Sequence, residues 1–316
     1  MQDAYTPEGL LLTTPENREY LTAPGGLEKA MERHMTLEST VLLCDKDMNL
    51  HIDLCGTPGI MPREEVEYCR RGEDIKDIAV LTRVGKPIAF KVVGFSRDEY
   101  GRRAAILSRR AAQEDCLLHY VAALRPGDVV PAKVTHLESF GAFVDIGCGI
   151  ISLLSIDAIS VSRISHPRER FTVGDFISVV IREIDDNQRI FVTHRELLGT
   201  WQENASSFSI GQTVVGVVRS IESYGVFIEL APNLAGLAEL KEDVHVGQNA
   251  AVYIKNIIPD KMKVKLIVID AQNATPTKPP PIHYFMNANT VHHIDRWQYS
   301  PPECSRLIES VFDKEC

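Results

Sequence analysis

Two short aromatic motifs in this sequence are suited to stacking on nucleic-acid bases. They read FGAF at residues 140–143 and YGVF at residues 224–227. An exposed ring stacks on an unpaired base, which is worth about 1–3 kcal/mol per base. Residues three apart in a regular strand face opposite sides, so we expect the glycine to permit a β-bulge that turns both rings outward. The alternative is that the rings fill the core of a small barrel; the repetition of the motif favours the surface position.

Four lysines near the second motif are suited to binding phosphate groups. They are Lys255, Lys261, Lys263 and Lys265, with one acid, Asp260, among them. In a strand the last three would share a face at intervals of about 7 Å, close to the phosphate spacing of an extended single strand. The alternative is a solvated lysine edge that prevents aggregation.

An internal repeat carries both motifs. Residues 127–146 align without a gap with residues 211–230, and seven of the 20 positions are identical. A glycine-led strand follows in each copy, at 173–175 and at 246–248. A weaker copy begins near Val41 and places Met48 and His51 at the levels of the two rings. The repeat predicts three units, at residues 37–110, 125–198 and 208–270.

Each unit contains about five short strands separated by turn residues. A unit of this size is too small for two full sheets but suits a closed barrel. We therefore predict a mainly β protein of three tandem five-stranded OB-fold barrels. Residues 1–36 should form an N-terminal helical segment, and residues 111–124 and 197–206 helical connectors. Residues 271–316 should form a proline-rich linker and a C-terminal tail.

The composition limits the function classes. Hydrophobic residues make up 44% and charged residues 24% of the chain, which is typical of a soluble protein. There is no apolar run of membrane-spanning length, and the N-terminus lacks a basic region before an apolar stretch. The seven cysteines never form a CxxC pair, which favours a reducing cytoplasm. No P-loop, dinucleotide or protease motif is present, so we predict neither an enzyme nor a cofactor.

The tail contains His292, His293, Cys304 and Cys316, whose spacing matches no common zinc pattern. Packing of the tail on the barrels is the favoured alternative to a metal site. The residues predicted to pack are Trp297, Tyr299, Leu307, Val311 and Phe312.

The stretch GDVVPAKVTHLESFGAFVDIG from residue 127, with the strand at 173–175 and IDDNQRI at 184–190, resembles the RNA-binding repeat of bacterial ribosomal protein S1. The resemblance is close for residues 125–198 and 208–270 and weak for residues 37–110. It implies an S1-type barrel whose RNA-binding face combines two strand-two aromatics, a strand-three histidine and an Asp/Arg pair on the last strands.

Carried onto this sequence, the resemblance places the Asp/Arg pair at Asp185 and Arg189. Ser155 stands at the level of the histidine in the second unit. In the third unit Lys263 replaces the arginine and Pro259 stands at the aspartate.

The remaining positions depart further from the family pattern. Glu239 stands at the histidine of the third unit and would repel a phosphate. The first unit has Met48 and His51 for the aromatics and Pro62 for the histidine. This degenerate face implies that the first barrel docks on a protein.

These observations lead to one main hypothesis. The chain is expected to be a non-catalytic, cytoplasmic protein that binds single-stranded RNA (mRNA), associates with the ribosome and acts in translation, with small ribosomal subunit proteins as partners of the first barrel and no membrane partner. The alternatives are a protein-docking scaffold and an RNA-stability or transcription accessory factor. The predicted RNA-binding residues are Phe140, Phe143, Ser155, Asp185, Arg189, Tyr224, Phe227, Lys255, Lys261, Lys263 and Lys265.

Overall fold

The computed structural model describes residues 5–69, 74–97, 101–185, 189–273, 281–288 and 290–312. Its strands form three closed five-stranded barrels and one small two-stranded sheet. The helices between them are short. The predicted fold class, mainly β with tandem OB-type barrels, is confirmed.

The first barrel is closed by hydrogen bonds in the strand order β1-β2-β3-β5-β4. All neighbours pair antiparallel except β3 and β5, which are parallel. The strands are β1 (Leu37–Cys44), β2 (Leu50–Leu54), β3 (Thr57–Met61), β4 (Pro87–Arg97) and β5 (Arg103–Ser108).

The second and third barrels repeat this strand order. The strands of the second are β6 (Val129–Glu138), β7 (Gly141–Asp145), β8 (Ile151–Ser155), β9 (Phe176–Ile184) and β10 (Ile190–Thr193). Those of the third are β11 (Thr213–Glu222), β12 (Gly225–Ala231), β13 (Leu234–Ala238), β14 (Asn249–Ile258) and β15 (Lys263–Gln272). The last strand thus runs two residues past the predicted end of the third unit.

Alternation of apolar and polar residues determines which side of each strand faces a barrel core. In β15, Val264 and Leu266 are buried, whereas Lys263, Lys265 and Ile267 are exposed. The buried pair packs in one cluster with the inward residues of the neighbouring strands. Because side chains alternate, the odd-numbered residues of this segment lie on the outer surface.

The helices lie before and between the barrels. They are α1 (Pro15–Thr22), α2 (Gly26–Glu32), α3 (Asp77–Leu81), α4 (Arg109–His119) and α5 (Trp201–Ser206). The Ser108 hydroxyl caps α4 by accepting a hydrogen bond from the backbone N–H of Ala111 at 2.8 Å. Thr200 and Glu203 form a capping box on α5. The predicted connectors are therefore helical, although 3₁₀ turns interrupt both.

Contacts divide the chain into two compact units. The first contains Met1–Leu124, Pro131–Lys133 and Asp145–Ile151, and the second contains the remaining residues. In the first unit, one buried carboxylate oxygen of Glu38 accepts hydrogen bonds from the backbone N–H groups of Gly9, Leu11 and Leu12. Burial raises the pKa of Glu38 to about 7. This side chain fastens the N-terminal segment to β1.

The C-terminal segment belongs to the second unit, together with the third barrel and most of the second. Its strands β16 (Arg296–Gln298) and β17 (Glu309–Val311) form an antiparallel pair. The backbone N–H of Ile294 donates to the Gly127 carbonyl, and that of Trp201 donates to the Tyr299 carbonyl. The segment thereby binds both to the start of the second barrel and to α5.

The predicted packing of this tail is only partly correct. Trp297, Tyr299 and Phe312 are buried, but Leu307 and Val311 are exposed. Val311 faces solvent because it pairs with the exposed Arg296, and Leu307 lies in the loop before β17. Residues 274–280, with most of the proline-rich linker, and Cys316 lie outside the described residues.

No three histidine, cysteine or acidic side chains converge on a metal-sized site in the described part of the chain. His293 instead hydrogen-bonds through Nδ1 to Asp128 at 2.6 Å. Among the described helices, none is long and apolar enough to cross a membrane.

Candidate nucleic-acid interface

Hairpin turns place the aromatic rings. The first ring of each motif, Phe140 or Tyr224, lies in the two-residue turn before β7 or β12. The second ring, Phe143 or Phe227, is the third residue of the strand that follows. We call Phe140 with Phe143, and Tyr224 with Phe227, the ring pairs.

The predicted bulge at the glycine is wrong for the third barrel. There Ile221 pairs with Val226, and Glu222 pairs with Gly225, without a shift. The register shift lies on the preceding strand, between Val218 and Ser220. The turn, rather than a bulge, brings both rings to one side, because a residue in a turn is free of strand alternation.

The glycines are required by a close backbone approach. A Cβ at Gly141 would lie 2.5 Å from the carbonyl oxygen of Leu154, and one at Gly225 would lie 2.5 Å from that of Ala238. Any larger residue would separate the second and third strands of the barrel. The same requirement in both repeats explains the identical residue.

The two ring pairs have the same geometry. The ring centroids of Phe140 and Phe143 are 6.0 Å apart with an interplanar angle of 88°, and those of Tyr224 and Phe227 are 6.0 Å apart at 89°. Phe140 is 54% exposed and Tyr224 67%. The inner rings are half-buried. The rings therefore lie on the barrel surfaces rather than in the cores.

Each inner ring begins a row of three outward side chains, which we call the outer row. In the third barrel Phe227 pairs with Leu237, which pairs with Lys265. In the second barrel Leu153 pairs with Phe191. The hydrogen bond from the Ile156 N–H to the Phe140 carbonyl sets an antiparallel register that places Phe143 opposite Leu153. The outer rows are thus Phe143–Leu153–Phe191 and Phe227–Leu237–Lys265.

Two of the four predicted lysines alternate on the outer face of β15. Lys263 and Lys265 are exposed there, and Lys255 is exposed at an irregularity of β14. Lys261 is not on the strand: it ends a 3₁₀ turn, and Met262 then has a left-handed φ of 46°. The predicted row of three is wrong at Lys261, because the strand begins only after this turn.

The Asp/Arg pair of the second barrel forms an ion pair. Nε of Arg189 donates to Oδ2 of Asp185 at 2.8 Å, and the Arg189 N–H donates to Oδ1 at 2.8 Å. Arg189 directly precedes β10 and is exposed, whereas Ile190, the first residue of that strand, is buried. The aspartate thus orients the guanidinium just before the strand that contains Phe191.

The strand-three positions lie beside the glycines of the motifs. Ser155 ends β8, and its Cα would be 3.1 Å from a Cβ at Gly141. Glu239 directly follows β13 and is exposed. The Ser155 hydroxyl can donate a hydrogen bond to a phosphate, whereas the negative charge of Glu239 repels one.

Two ring-bearing residues of the second barrel were missed from the sequence. His136 on β6 stacks on Phe143, with centroids 6.3 Å apart and an interplanar angle of 30°. Phe191 occupies the end of the outer row. Both contacts depend on cross-strand register. The alternation in residues 190–193 was the available signal for Phe191.

In the first barrel the outer row lacks aromatic rings apart from an imidazole. Leu43 pairs with His51, which pairs with Ile60, which pairs with Ile106. Nε2 of His51 lies 2.9 Å from a carboxylate oxygen of Asp45. His51 therefore occupies the level of Phe143 and Phe227, as the weak repeat predicted. Met48 and Pro62 lie outside the strands, in the turn before β2 and directly after β3.

The sequence is similar to those of known proteins. Residues 123–195, which include the second barrel, match the model of the S1 RNA-binding domain. The chain is 28% identical to the small ribosomal subunit protein bS1 of Mycolicibacterium smegmatis, over 82% of this chain and 55% of that protein. It is 31% identical to the bS1 homologue of Bacillus subtilis, over 77% of this chain and 62% of that protein.

A bS1 homologue of Bacillus cereus is also 31% identical, over 71% of this chain and 57% of that protein. The chain thus spans a little more than half the length of these curated relatives. By its matched domain and these relatives, the chain resembles the bacterial ribosomal protein bS1 family over most of its length, which confirms the resemblance found in its repeats.

Proposed function

We propose that this chain is a non-catalytic, cytoplasmic protein that binds single-stranded RNA and holds mRNA near the ribosome during translation. The observation that carries the proposal is the duplicated ring pair, with one geometry on two barrels. The match to an S1 RNA-binding domain and the bS1 names of the relatives support it.

Stacking accounts for the binding of RNA without a strong sequence preference. Every base has a π-face, so a ring pair accepts any unpaired base. The nearby cations, Arg189 and Lys265, are placed to contact backbone phosphates beside the stacked bases. Paired bases inside a duplex do not expose these faces, and so we expect single strands to be preferred.

The second and third barrels act together in this proposal. Arg219 on β11 forms ion pairs with Glu229 on β12 and with Glu169, which precedes β9. The Asn233 side chain accepts a hydrogen bond from the Val161 N–H and donates to the Arg195 carbonyl. These contacts fix the spacing of the two ring pairs, so that binding at one makes binding at the other intramolecular.

The first barrel has a different proposed partner. Leu43, which is 50% exposed, lies beside His51, and His51 lies beside Ile60 in the outer row of this barrel. An apolar row without a ring pair suits a protein, and we propose a protein of the small ribosomal subunit. Co-sedimentation with RNase-treated ribosomal subunits tests this: Leu43→Asp should reduce it, and unchanged co-sedimentation would refute the docking.

Removal of the inner rings tests the RNA-binding proposal. The variant Phe143→Ala with Phe227→Ala loses one stacking surface per barrel. At about 1–3 kcal/mol per stacked base, we expect the dissociation constant for a labelled single-stranded RNA to rise at least about 30-fold.

The control removes one exposed ring from another strand of each barrel. Phe176 begins β9 and Tyr253 lies on β14, and both are exposed. Phe176→Ala with Tyr253→Ala should leave the RNA affinity within about threefold of the wild type. Equal affinities of the inner-ring variant and the wild type would refute the proposed function.

A further inference from the structure

The second and third barrels differ at the far end of the outer row. The second barrel has Phe191 where the third has Lys265, and each lies beside the central leucine, Leu153 or Leu237. The same location on the same surface therefore carries a ring in one barrel and a cation in the other.

A second difference lies on the other side of the inner ring. In the second barrel the His136 ring stacks on Phe143, and its side chain is 62% exposed. Nε2 of His136 lies 2.7 Å from a carboxylate oxygen of Glu138, which orients the imidazole. In the third barrel Ser220 pairs with Phe227 at this level. The second barrel thus has four rings where the third has two.

The cations near the outer row differ in the opposite direction, in favour of the third barrel. Lys255, Lys263 and Lys265 are exposed, and none of them forms an ion pair with another residue that the structure describes. On the second barrel, the corresponding cation, Arg189, is paired with Asp185 at 2.8 Å. Pairing with a carboxylate weakens the attraction of a cation for a phosphate.

We propose that the two barrels bind one RNA strand by different chemistry. The second barrel binds bases by stacking, with His136 and Phe191 as additional contact residues. The third stacks bases on its single ring pair and adds backbone phosphate contacts through Lys263 and Lys265. This inference rests on the proposed RNA-binding function.

The dependence of RNA affinity on salt concentration distinguishes phosphate contacts from stacking contacts. Neutralising a phosphate releases counterions, so that each such contact on a single strand contributes about −0.7 to the slope of log K against log salt. Stacking on an aromatic ring releases no counterions. A variant that loses stacking should therefore change the affinity, and one that loses phosphate contacts should change the slope.

The experiment measures binding of a labelled oligouridylate to the full chain at several sodium chloride concentrations. His136→Ala with Phe191→Ala should weaken binding about fivefold to 100-fold and leave the slope unchanged. Lys263→Gln with Lys265→Gln should reduce the magnitude of the slope by about 1.4, corresponding to two phosphates.

Matched controls change the same residue types elsewhere. Lys46 and Lys86 are exposed lysines of the first barrel. Lys46→Gln with Lys86→Gln removes the same net charge and should leave the slope unchanged. Phe176→Ala is the matched control for the loss of a ring from the second barrel.

A variant that gains a phosphate contact excludes misfolding as the cause of a changed slope. Phe191→Lys gives the second barrel the residue type of the third, and should increase the magnitude of the slope by about 0.7. Retained RNA binding with no slope change in the Lys263 and Lys265 variant, or in Phe191→Lys, would overturn the inference, as would a reduced slope in the His136 and Phe191 variant. Unchanged affinity of that variant would also overturn it and would favour a protein-docking role for the row. Failure of the wild type to bind the oligouridylate would instead refute the proposed function.

Discussion

Three alanine substitutions test why each aromatic motif requires a glycine. Two of them, at Gly141 and Gly225, change the motifs, and the third, at Gly247, is a comparison, so that a steric clash is separated from an unfavourable backbone conformation. Gly141 lies against a backbone carbonyl without a left-handed φ, so its replacement introduces only a clash. Gly247 has a φ of +91° and open space around its Cβ, so its replacement introduces only an unfavourable backbone conformation. Gly225 has a φ of +153° and a carbonyl oxygen 2.5 Å from its Cβ, so it combines both.

The magnitudes follow from these contacts. A C···O contact of 2.5 Å is roughly 0.8 Å shorter than an ordinary one, and the strand must move because a backbone oxygen cannot rotate away. Overpacking of this kind costs about 1–3 kcal/mol. A left-handed conformation costs about 1–2 kcal/mol in a residue with a Cβ. We expect Gly225→Ala to be the most destabilising, at about 2–5 kcal/mol.

The assay is urea unfolding followed by tryptophan fluorescence. The two tryptophans, Trp201 and Trp297, are buried in the cluster that contains the core of the third barrel. With an m-value of about 2 kcal/mol/M, a loss of 2 kcal/mol lowers the midpoint by about 1 M. Gly225→Ala should also weaken RNA binding, whereas Gly247→Ala should not.

One result would refute this reasoning. If Gly225→Ala unfolded at the same urea concentration as Gly247→Ala and bound RNA as tightly, the close approach to the third strand would not be what requires glycine. The ring pair would then have to be positioned by something other than this hairpin.

Two further predictions concern the stability of each unit. Burial raises the pKa of Glu38 to about 7, above the unfolded value of about 4.3, so its contribution to stability is present at low pH and is lost as the pH rises through 7. Glu38→Gln cannot ionise and should flatten the decline in melting temperature between pH 5 and 8; an unchanged pH profile would contradict this. The Tyr299 hydroxyl donates a buried hydrogen bond of 2.6 Å to the Asn233 carbonyl, so Tyr299→Phe should lower the free energy of unfolding by about 1–2 kcal/mol, measured by urea unfolding. If the Tyr299→Phe variant unfolded at the same urea midpoint as the wild type, this hydrogen bond would not contribute to stability as predicted.

The barrels could be predicted from the sequence because their signals are local. Glycine-led strands and period-two alternation recur in each unit, and a repeat at constant spacing indicates one structure used several times. The exposed positions of Phe140 and Tyr224 followed from the same repetition. The domain limits drawn from it stay predictions.

The features that were missed depend on which strands lie side by side. The stacking of His136 on Phe143 joins two strands, and the outer row that ends at Phe191 joins three. Register between strands is set by turns and core packing, so the sequence spacing of His136 and Phe143 carried no signal, and the alternation in residues 190–193 indicated only which way Phe191 faces. Lys261 was misplaced for a local reason, since a 3₁₀ turn delays the start of β15.

Cross-linking with 4-thiouridine RNA tests the central claim most directly, because it identifies the residues that touch bases. After irradiation of the full chain with a labelled single strand, peptides that contain residues 136–143 and 224–227 should carry the cross-linked nucleotides. Excess unlabelled single strand should abolish these adducts, and duplex RNA of the same sequence should not. Adducts confined to the first barrel, or to surfaces remote from both ring pairs, would contradict the account.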